Sequence, residues 1–308
     1  AFDRVAHQRL INKLCCLNLD PLALSWIRCF LSHRSQFADI AGLHSTAAPV
    51  KSGVPQGSVL GPLLFLIYVN DLPSGISSSI RLFADDCVLY RRITTPDDHE
   101  ILQNDLSLIE NWCSLWMMQT NVSKCKVMRV SRKQSNSEHV YNLNSTTLAY
   151  VDSYRYLGVL ISNTLTWSDH ITHLVADASK KLGYIRRTLC LSPPTVRKIA
   201  YVTFVRTKLE YASSIWSPHQ TYLINLLESV QNRAARFIMS NYDHSSSITF
   251  IKESLDLQNL ADRRILSRLC YFTNYTIIFL TCMVFSCFLR LQFNSRSLQR
   301  FSDDRCIQ

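Results

Sequence analysis

Two short apolar runs, Ile80-Arg81-Leu82-Phe83 and Cys87-Val88-Leu89-Tyr90, flank Ala84-Asp85-Asp86. The pattern reads as a β-hairpin whose tip carries both acids. Adjacent side chains of a regular strand point to opposite faces, so neighbouring carboxylates converge only where the backbone turns. Crowded carboxylates repel unless a divalent cation lies between them, and hard oxygen ligands suit Mg²⁺. An Asp-rich turn by itself needs no metal, because Asp is a common turn residue. The apolar flanks are what predict a tip ending a buried hairpin rather than a solvated loop.

Twenty-eight residues before Asp85, Gly57 closes the breaker run Ser52-Gly53-Val54-Pro55-Gln56-Gly57. Such a bend leaves backbone and an amide side chain bare enough for a planar base pair to approach. The apolar stretch Leu60 to Val69 follows it and predicts a buried helix. Earlier, Val5, Leu10, Leu14 and Leu17 recur at helical spacing, and residues 37–50 read as short strands with a turn at Gly42. Thr95-Pro96-Asp97-Asp98 predicts a helix start with a hydroxyl cap and acids at the positive end of the dipole. That helix continues through Leu102, Leu106, Ile109, Trp112 and Trp116. Strands are expected at Lys126–Ser131, Leu148–Tyr150 and Tyr156–Ile161, and from about 166 the pattern turns helical. Leu223, Leu226, Leu227, Val230, Ala234, Phe237 and Ile238 form one stripe, with Arg233 and Arg236 off it and free to face a phosphate backbone.

Hydrophobic residues at 47% and charged ones at 18% exclude a generally disordered chain. Thirty-three Lys and Arg against 23 Asp and Glu give a net +10. The excess is uneven, since residues 181–270 hold thirteen cations and six acids. A local excess of this kind suits a polyanionic partner, and equally a solvated helical surface. None of the eleven cysteines forms a Cys-x-x-Cys pair. No secretory signal opens the chain, so reduced thiols in an intracellular protein, nuclear or cytoplasmic, and no zinc site are expected. His170 and His173 lack an acidic partner at metalloenzyme spacing. The chain begins at Ala1, directly in an amphipathic pattern, as a fragment would.

Taken in order, these segments resemble the palm of a reverse transcriptase of the LINE-type (non-LTR retrotransposon) family, from residue 1 to about residue 270. Ala1-Phe2-Asp3-Arg4-Val5-Ala6-His7 is similar to the tail of the first palm motif. Ser52 to Pro62 resembles the second motif and Phe83-Ala84-Asp85-Asp86 the third. Asn121-Val122-Ser123-Lys124-Cys125-Lys126 resembles the fourth, where Thr or Ser usually follows the lysine, so Cys125 is expected to weaken a local hydrogen bond. Tyr154 to Val159, with Leu157 and Gly158 at its centre, and Leu165 to His170 are similar to the primer-grip region. Lys180–Arg268 resembles the thumb.

The resemblance implies an α+β fold: a partial palm over 1–165 with an antiparallel sheet and packed helices, a basic helical thumb over 166–270, and a hydrophobic tail over 271–308. It implies RNA-directed DNA polymerisation by two-metal nucleotidyl transfer, with RNA template, DNA primer, dNTPs and two Mg²⁺ ions. Asp85 and Asp86 would be the metal-binding catalytic pair, and Lys124 would neutralise the departing pyrophosphate. Gln56 and Gly57 would shape the pocket, and the Phe2 ring would exclude a ribose 2′-hydroxyl. The family's first metal aspartate lies four residues before the position matched by Ala1. The expectation is therefore impaired metal binding and little polymerase activity. The rival reading is a non-catalytic nucleic-acid-binding remnant. The stretch 269–289 is uncharged and reads as a membrane segment, a buried element or non-native read-through.

Overall fold

A computed structural model describes residues 1–131, 139–243 and 245–273, which form two compact units. The first comprises residues 1–127 with 139–150. A 3₁₀ turn (Phe2–Arg4) leads into α1 (His7–Cys16) and α2 (Pro21–Leu31). Asp20 starts α2 by accepting from the Leu22 and Ala23 amides, with Pro21 at the first helical position. Four two-residue strands follow, β1 (Ser35–Gln36), β2 (Asp39–Ile40), β3 (Leu43–His44) and β4 (Ala48–Pro49). Then come α3 (Leu60–Val69), β5 (Ser79–Phe83), β6 (Asp86–Tyr90) and α4 (Asp97–Leu115). Short strands β7 (Lys126–Val127), β8 (Asn142–Leu143), β9 (Thr146–Thr147) and β10 (Ala149–Tyr150) complete the unit.

The described strands pair only two at a time, and one pair, β7 with β10, is parallel. The expected antiparallel sheet is thus a set of separate ladders, because few strands exceed two residues. The core of this unit is instead α1 against α3. Val5, Leu10, Leu14, Leu64, Phe65 and Tyr68 are buried together, and Ala84, Trp112 and Trp116 pack onto them. Lys13 penetrates this core from α1. Its Nζ lies 3.6 Å from the Trp116 ring centroid and 2.5 Å from both the Tyr68 carbonyl and Asp71 Oδ1. Trp112 Nε1 donates to the same Asp71 oxygen at 3.1 Å. The aromatic faces and one carboxylate stabilise an ammonium that burial would otherwise disfavour. The start of α4 reverses the expected cap. Asp98 reaches back and accepts from the amides and hydroxyls of Thr94 and Thr95 and from Arg91 Nε. These bonds hold its carboxyl well below the usual carboxylate range.

The second unit opens with the hairpin β11 (Ser153–Tyr156) and β12 (Val159–Ser162). The single strand expected at Tyr156–Ile161 is therefore broken at Leu157-Gly158, both with positive φ. Helices follow: α5 (Ser168–Thr188), α6 (Pro194–Tyr201), a π-helical segment (Val202–Arg206), α7 (Thr207–Glu210), α8 (Ser213–Trp216), α9 (Thr221–Met239) and α10 (Ile248–Ser254). Residues 260–273 are also helical. The α9 stripe buries Leu223, Leu227, Val230, Ala234, Phe237 and Ile238, as its spacing predicts, against Ile171, Leu182, Tyr201 and Trp216. No helix among the described residues is long and apolar enough to cross a membrane, and most of the 269–289 stretch lies outside them.

His170 sits in this second core, where Nδ1 accepts from the Leu160 amide at 3.2 Å. Nε2 therefore carries the proton, and it has no hydrogen-bond partner among the described residues. Burial, then Arg155 and His173, push the His170 pKa down. The unfolded chain, with an ordinary value of about 6.5, then takes up a proton before the folded one does. Stability from this site is complete above about pH 6.5 and declines as pH falls toward the depressed folded value. Urea-unfolding midpoints measured from pH 7.5 down to 5 should fall, and His170→Gln, which keeps an acceptor for Leu160, should flatten that fall.

Candidate active site

The bend ahead of α3 is tied to the N-terminal segment along its length. The Val54 amide donates to the Phe2 carbonyl at 3.0 Å and the Gly53 amide to the Val5 carbonyl at 2.8 Å. Ser52 Oγ donates to the Asp3 carbonyl at 2.9 Å, and His7 Nε2 lies 2.7 Å from the Gly53 carbonyl oxygen. Gly53 has φ +91, and a Cβ there would stand 2.7 Å from Asp3 Cα, so the two backbones approach more closely than any side chain permits. Gly61 is held as tightly, since a Cβ would meet the Pro55 carbonyl oxygen at 2.4 Å. Ser58 Oγ donates to that carbonyl and accepts from the Gly61 amide, starting α3 directly against the bend.

Phe2 stacks on Phe65 of α3, with ring centroids 4.3 Å apart and planes at 22°. Asp3, beside it, accepts from Gln56 Nε2 at 2.9 Å. Gln56, expected to face a bound partner, is thus engaged by a neighbour that its sequence position did not announce. Gly57 is the open point of the bend: φ is +77 and nothing lies within 4 Å of a notional Cβ.

Asp85 and Asp86 stand at the β5–β6 tip. Ala84 turns the chain at φ +51, an uncommon conformation for a residue with a Cβ, and packs on the α1–α3 core. Asp86 opposes Phe83 across the ladder, so both lie on one face. The hairpin is not buried as expected. Phe83 is 61% exposed and Tyr90 47%, and neither belongs to a hydrophobic cluster among the described residues. Both aspartates are exposed, and neither carboxylate has a hydrogen-bond or ion-pair partner among the described residues. Cys87 lies on the other face, opposite Leu82. Its sulfur is a soft ligand and no rival to the carboxylates for a hard cation.

Lys124 is exposed on a 3₁₀ turn (Val122–Lys124) whose neighbours Val122 and Cys125 pack on a separate cluster of Tyr141, Leu143 and Leu148. Cys125 Sγ donates to the Asn121 carbonyl at 3.3 Å, a bond made by a weaker donor than the hydroxyl of a Thr or Ser. Leu157 and Gly158 belong to the second unit, where the Tyr211 hydroxyl donates to the Leu157 carbonyl at 2.9 Å. Phe2 and Ala84, the residue before the two aspartates, thus pack on one core, Gln56 is bonded to Asp3 next to Phe2, and the turn of Lys124 belongs to a separate cluster.

Residues 1–161 match the family described as reverse transcriptase (RNA-dependent DNA polymerase). The chain belongs to that family. The RNA-directed DNA polymerase from mobile element jockey of Drosophila funebris is 32% identical over 183 residues, 56% of this chain and 20% of that protein. The probable RNA-directed DNA polymerase from transposon X-element of Drosophila melanogaster is 30% identical over 248 residues, 77% of this chain and 27% of that protein. That from transposon BS of the same species is 28% identical over 254 residues, again 77% of this chain and 28% of that protein. The chain thus spans between a fifth and just over a quarter of these relatives. It is a reverse-transcriptase-like domain of the non-LTR retrotransposon kind, with short sheets followed by a helical region as in a palm and thumb.

Such enzymes work with Mg²⁺. Among the described residues no group of three or more His, Cys, Asp or Glu side chains is arranged to hold a metal. Asp3 is engaged with Gln56. Two adjacent, unencumbered carboxylates fit one Mg²⁺ that keeps waters and takes its remaining ligands from phosphate oxygens.

The weld between bend and N-terminal segment makes a direct comparison. Gly53→Ala combines a left-handed φ with a backbone collision, whereas Gly57→Ala meets only the φ penalty of about 1 kcal/mol. Gly53→Ala should lower the unfolding free energy by more than about 2 kcal/mol in urea titrations, and Gly57→Ala by clearly less.

Proposed function

We propose that this chain supplies the template- and primer-facing part of an RNA-directed DNA polymerase, with Asp85 as the principal Mg²⁺ ligand and Asp86 supporting it. The observation that carries this reading is the pair of unpartnered carboxylates at a turn seated on the core that also holds Phe2 and the Gln56-Gly57 bend. In this reading Mg²⁺ neutralises phosphate oxygens as the nucleotidyl group transfers. Phe2, fixed against Phe65, presents its ring edge to the sugar, and open Gly57 admits the base pair. Lys124 meets the leaving pyrophosphate, and Leu157-Gly158 guides the primer. Residues 1–165 act as palm and 166–270 as thumb.

The finer reading is a half-built metal clamp. Two carboxylates support cation binding but give weak stabilisation of the transferring group, so incorporation by the 308-residue chain is low. A binding remnant without metal chemistry is the rival, and the excess of cations over acids in 181–270 favours nucleic-acid contact under either reading through those that stay exposed.

Substituting Fe²⁺ for Mg²⁺ and generating hydroxyl radicals cuts a polypeptide next to the bound metal. Cuts near residues 83–87 are expected, competed by Mg²⁺ and absent in Asp85→Asn/Asp86→Asn, with only slight dNTP incorporation on a primed RNA template. Cutting that ignores the double substitution would overturn the metal assignment. Robust incorporation abolished by Asp85→Ala would overturn the half-clamp.

A further inference from the structure

The cations expected to face a phosphate backbone from α9 also bond within their own unit. Arg233 donates to Ser229 and to Ser179 on α5, and Arg236 donates to the carbonyls of Asp243 and Ser246. Others of the block are also engaged internally. Arg206 and Arg263 share Glu210, Lys252 pairs with Glu228, and Arg264 is buried. The excess positive charge is therefore carried by fewer side chains than its count suggests.

Arg186 and Arg187, at the end of α5, are two that remain exposed without a carboxylate partner among the described residues. They line an open cavity of about 520 Å³ with Gly183, Arg197, Phe237 and Tyr242. No acid among the described residues lines this cavity. A second cavity of about 550 Å³, beside the π-helical segment, includes Asp256 and the two arginines that Glu210 already neutralises.

The floor of the first cavity is Arg197, only 7% exposed. Its Nη2 donates to the Cys190 carbonyl at 2.6 Å, its Nε to that of Leu189 at 3.2 Å and its Nη1 to that of Phe237 at 2.9 Å, with Ser240 Oγ also accepting. Leu189 caps the end of α5 and Phe237 lies in the last turn of α9, so this guanidinium sits at two helix C-termini, each equivalent to roughly half a negative charge. One guanidinium thus cancels two helix ends, and the charge of Arg186 and Arg187 is left uncompensated above it. Arg186 lies over the half-exposed Tyr242 ring, 5.6 Å from its centroid. That stacking orients its N–H fork without occupying it.

We propose that this cavity seats backbone phosphates of a single-stranded polynucleotide, held by Arg186 and Arg187, with Tyr242 offering a stacking face to an adjacent base. The proposal rests on the nucleic-acid reading above and adds to it a specific site. Arg197 is a positioning residue that keeps the two helix ends together.

The test is the affinity of the full chain for a labelled single-stranded RNA 20-mer, measured across salt concentrations. Removing one cation that neutralises a phosphate makes the slope of log K against log salt shallower by about 0.7. Arg186→Ala/Arg187→Ala should reduce that slope by about 1.4 and weaken binding at least tenfold at low salt. Lys208→Ala/Arg268→Ala, which removes equal charge from exposed positions outside the cavity, should change both far less. Tyr242→Ala should weaken binding with the slope nearly intact. Equal effects of the two double variants, or no effect of the arginine pair, would overturn this site while leaving the polymerase reading standing. A wild-type chain that binds no RNA would overturn both.

Discussion

Two backbone hydrogen bonds, from Val54 to Phe2 and from Gly53 to Val5, hold the first unit's chemistry together. They join segments about fifty residues apart at a distance only glycine allows, and the rest of the site inherits its position from them. Phe2 can lie on Phe65 because its carbonyl is anchored. Gln56 can reach Asp3 because the bend runs alongside it. The Ser58 and Gly61 contacts then pass the same constraint into α3, whose buried face carries the core on which Ala84 rests. A hairpin of two strands with one exposed face has little stability of its own. It depends on that core to aim its carboxylates.

The second unit solves a different problem. Its helices bring many cations together, and much of that charge serves internal ends. Arg197 closes α5 and α9, Arg236 holds the chain after α9, and Glu210 gathers Arg206 and Arg263. Burying a guanidinium without partners is unfavourable, so these residues are supplied with carbonyl and carboxylate acceptors. A net charge read from composition therefore overstates the charge available to a polyanion. What counts is which cations remain once helix ends and buried acids are satisfied.

Elements carried by local chemistry are legible in the sequence. The Leu60–Val69 helix, the hairpin around Ala84-Asp85 and the α9 stripe follow from apolar runs, turn residues and a 3.6-residue period. Asp20-Pro21 is a readable start for α2 that apolar spacing alone passes over. Where the structure departs from the local pattern, a tertiary partner decides the outcome. Asp98 captures the Thr94 and Thr95 hydroxyls, of which the second stands where a cap is expected. Arg233 and Arg236 lie off the buried stripe yet find acceptors on neighbouring segments. Exposure of Phe83 depends on what packs over its face of the hairpin, which no local pattern encodes. The order of motifs makes the family legible, but the Gln56–Asp3 bond and the Lys13 aromatic cage arise from pairings over 40 or more residues.

The Ser52–Gly57 bend and the N-terminal segment behave as one body with the α1–α3 core, and the placing of the carboxylates depends on it. Amide hydrogen exchange at Gly53 and Val54 reads this directly, because both amides are the donors in question. They should exchange within about tenfold of the slow amides of α1 and α3, opening only when that core opens. Exchange as fast as at an exposed turn amide such as Gly75, while the helices stay protected, would contradict it.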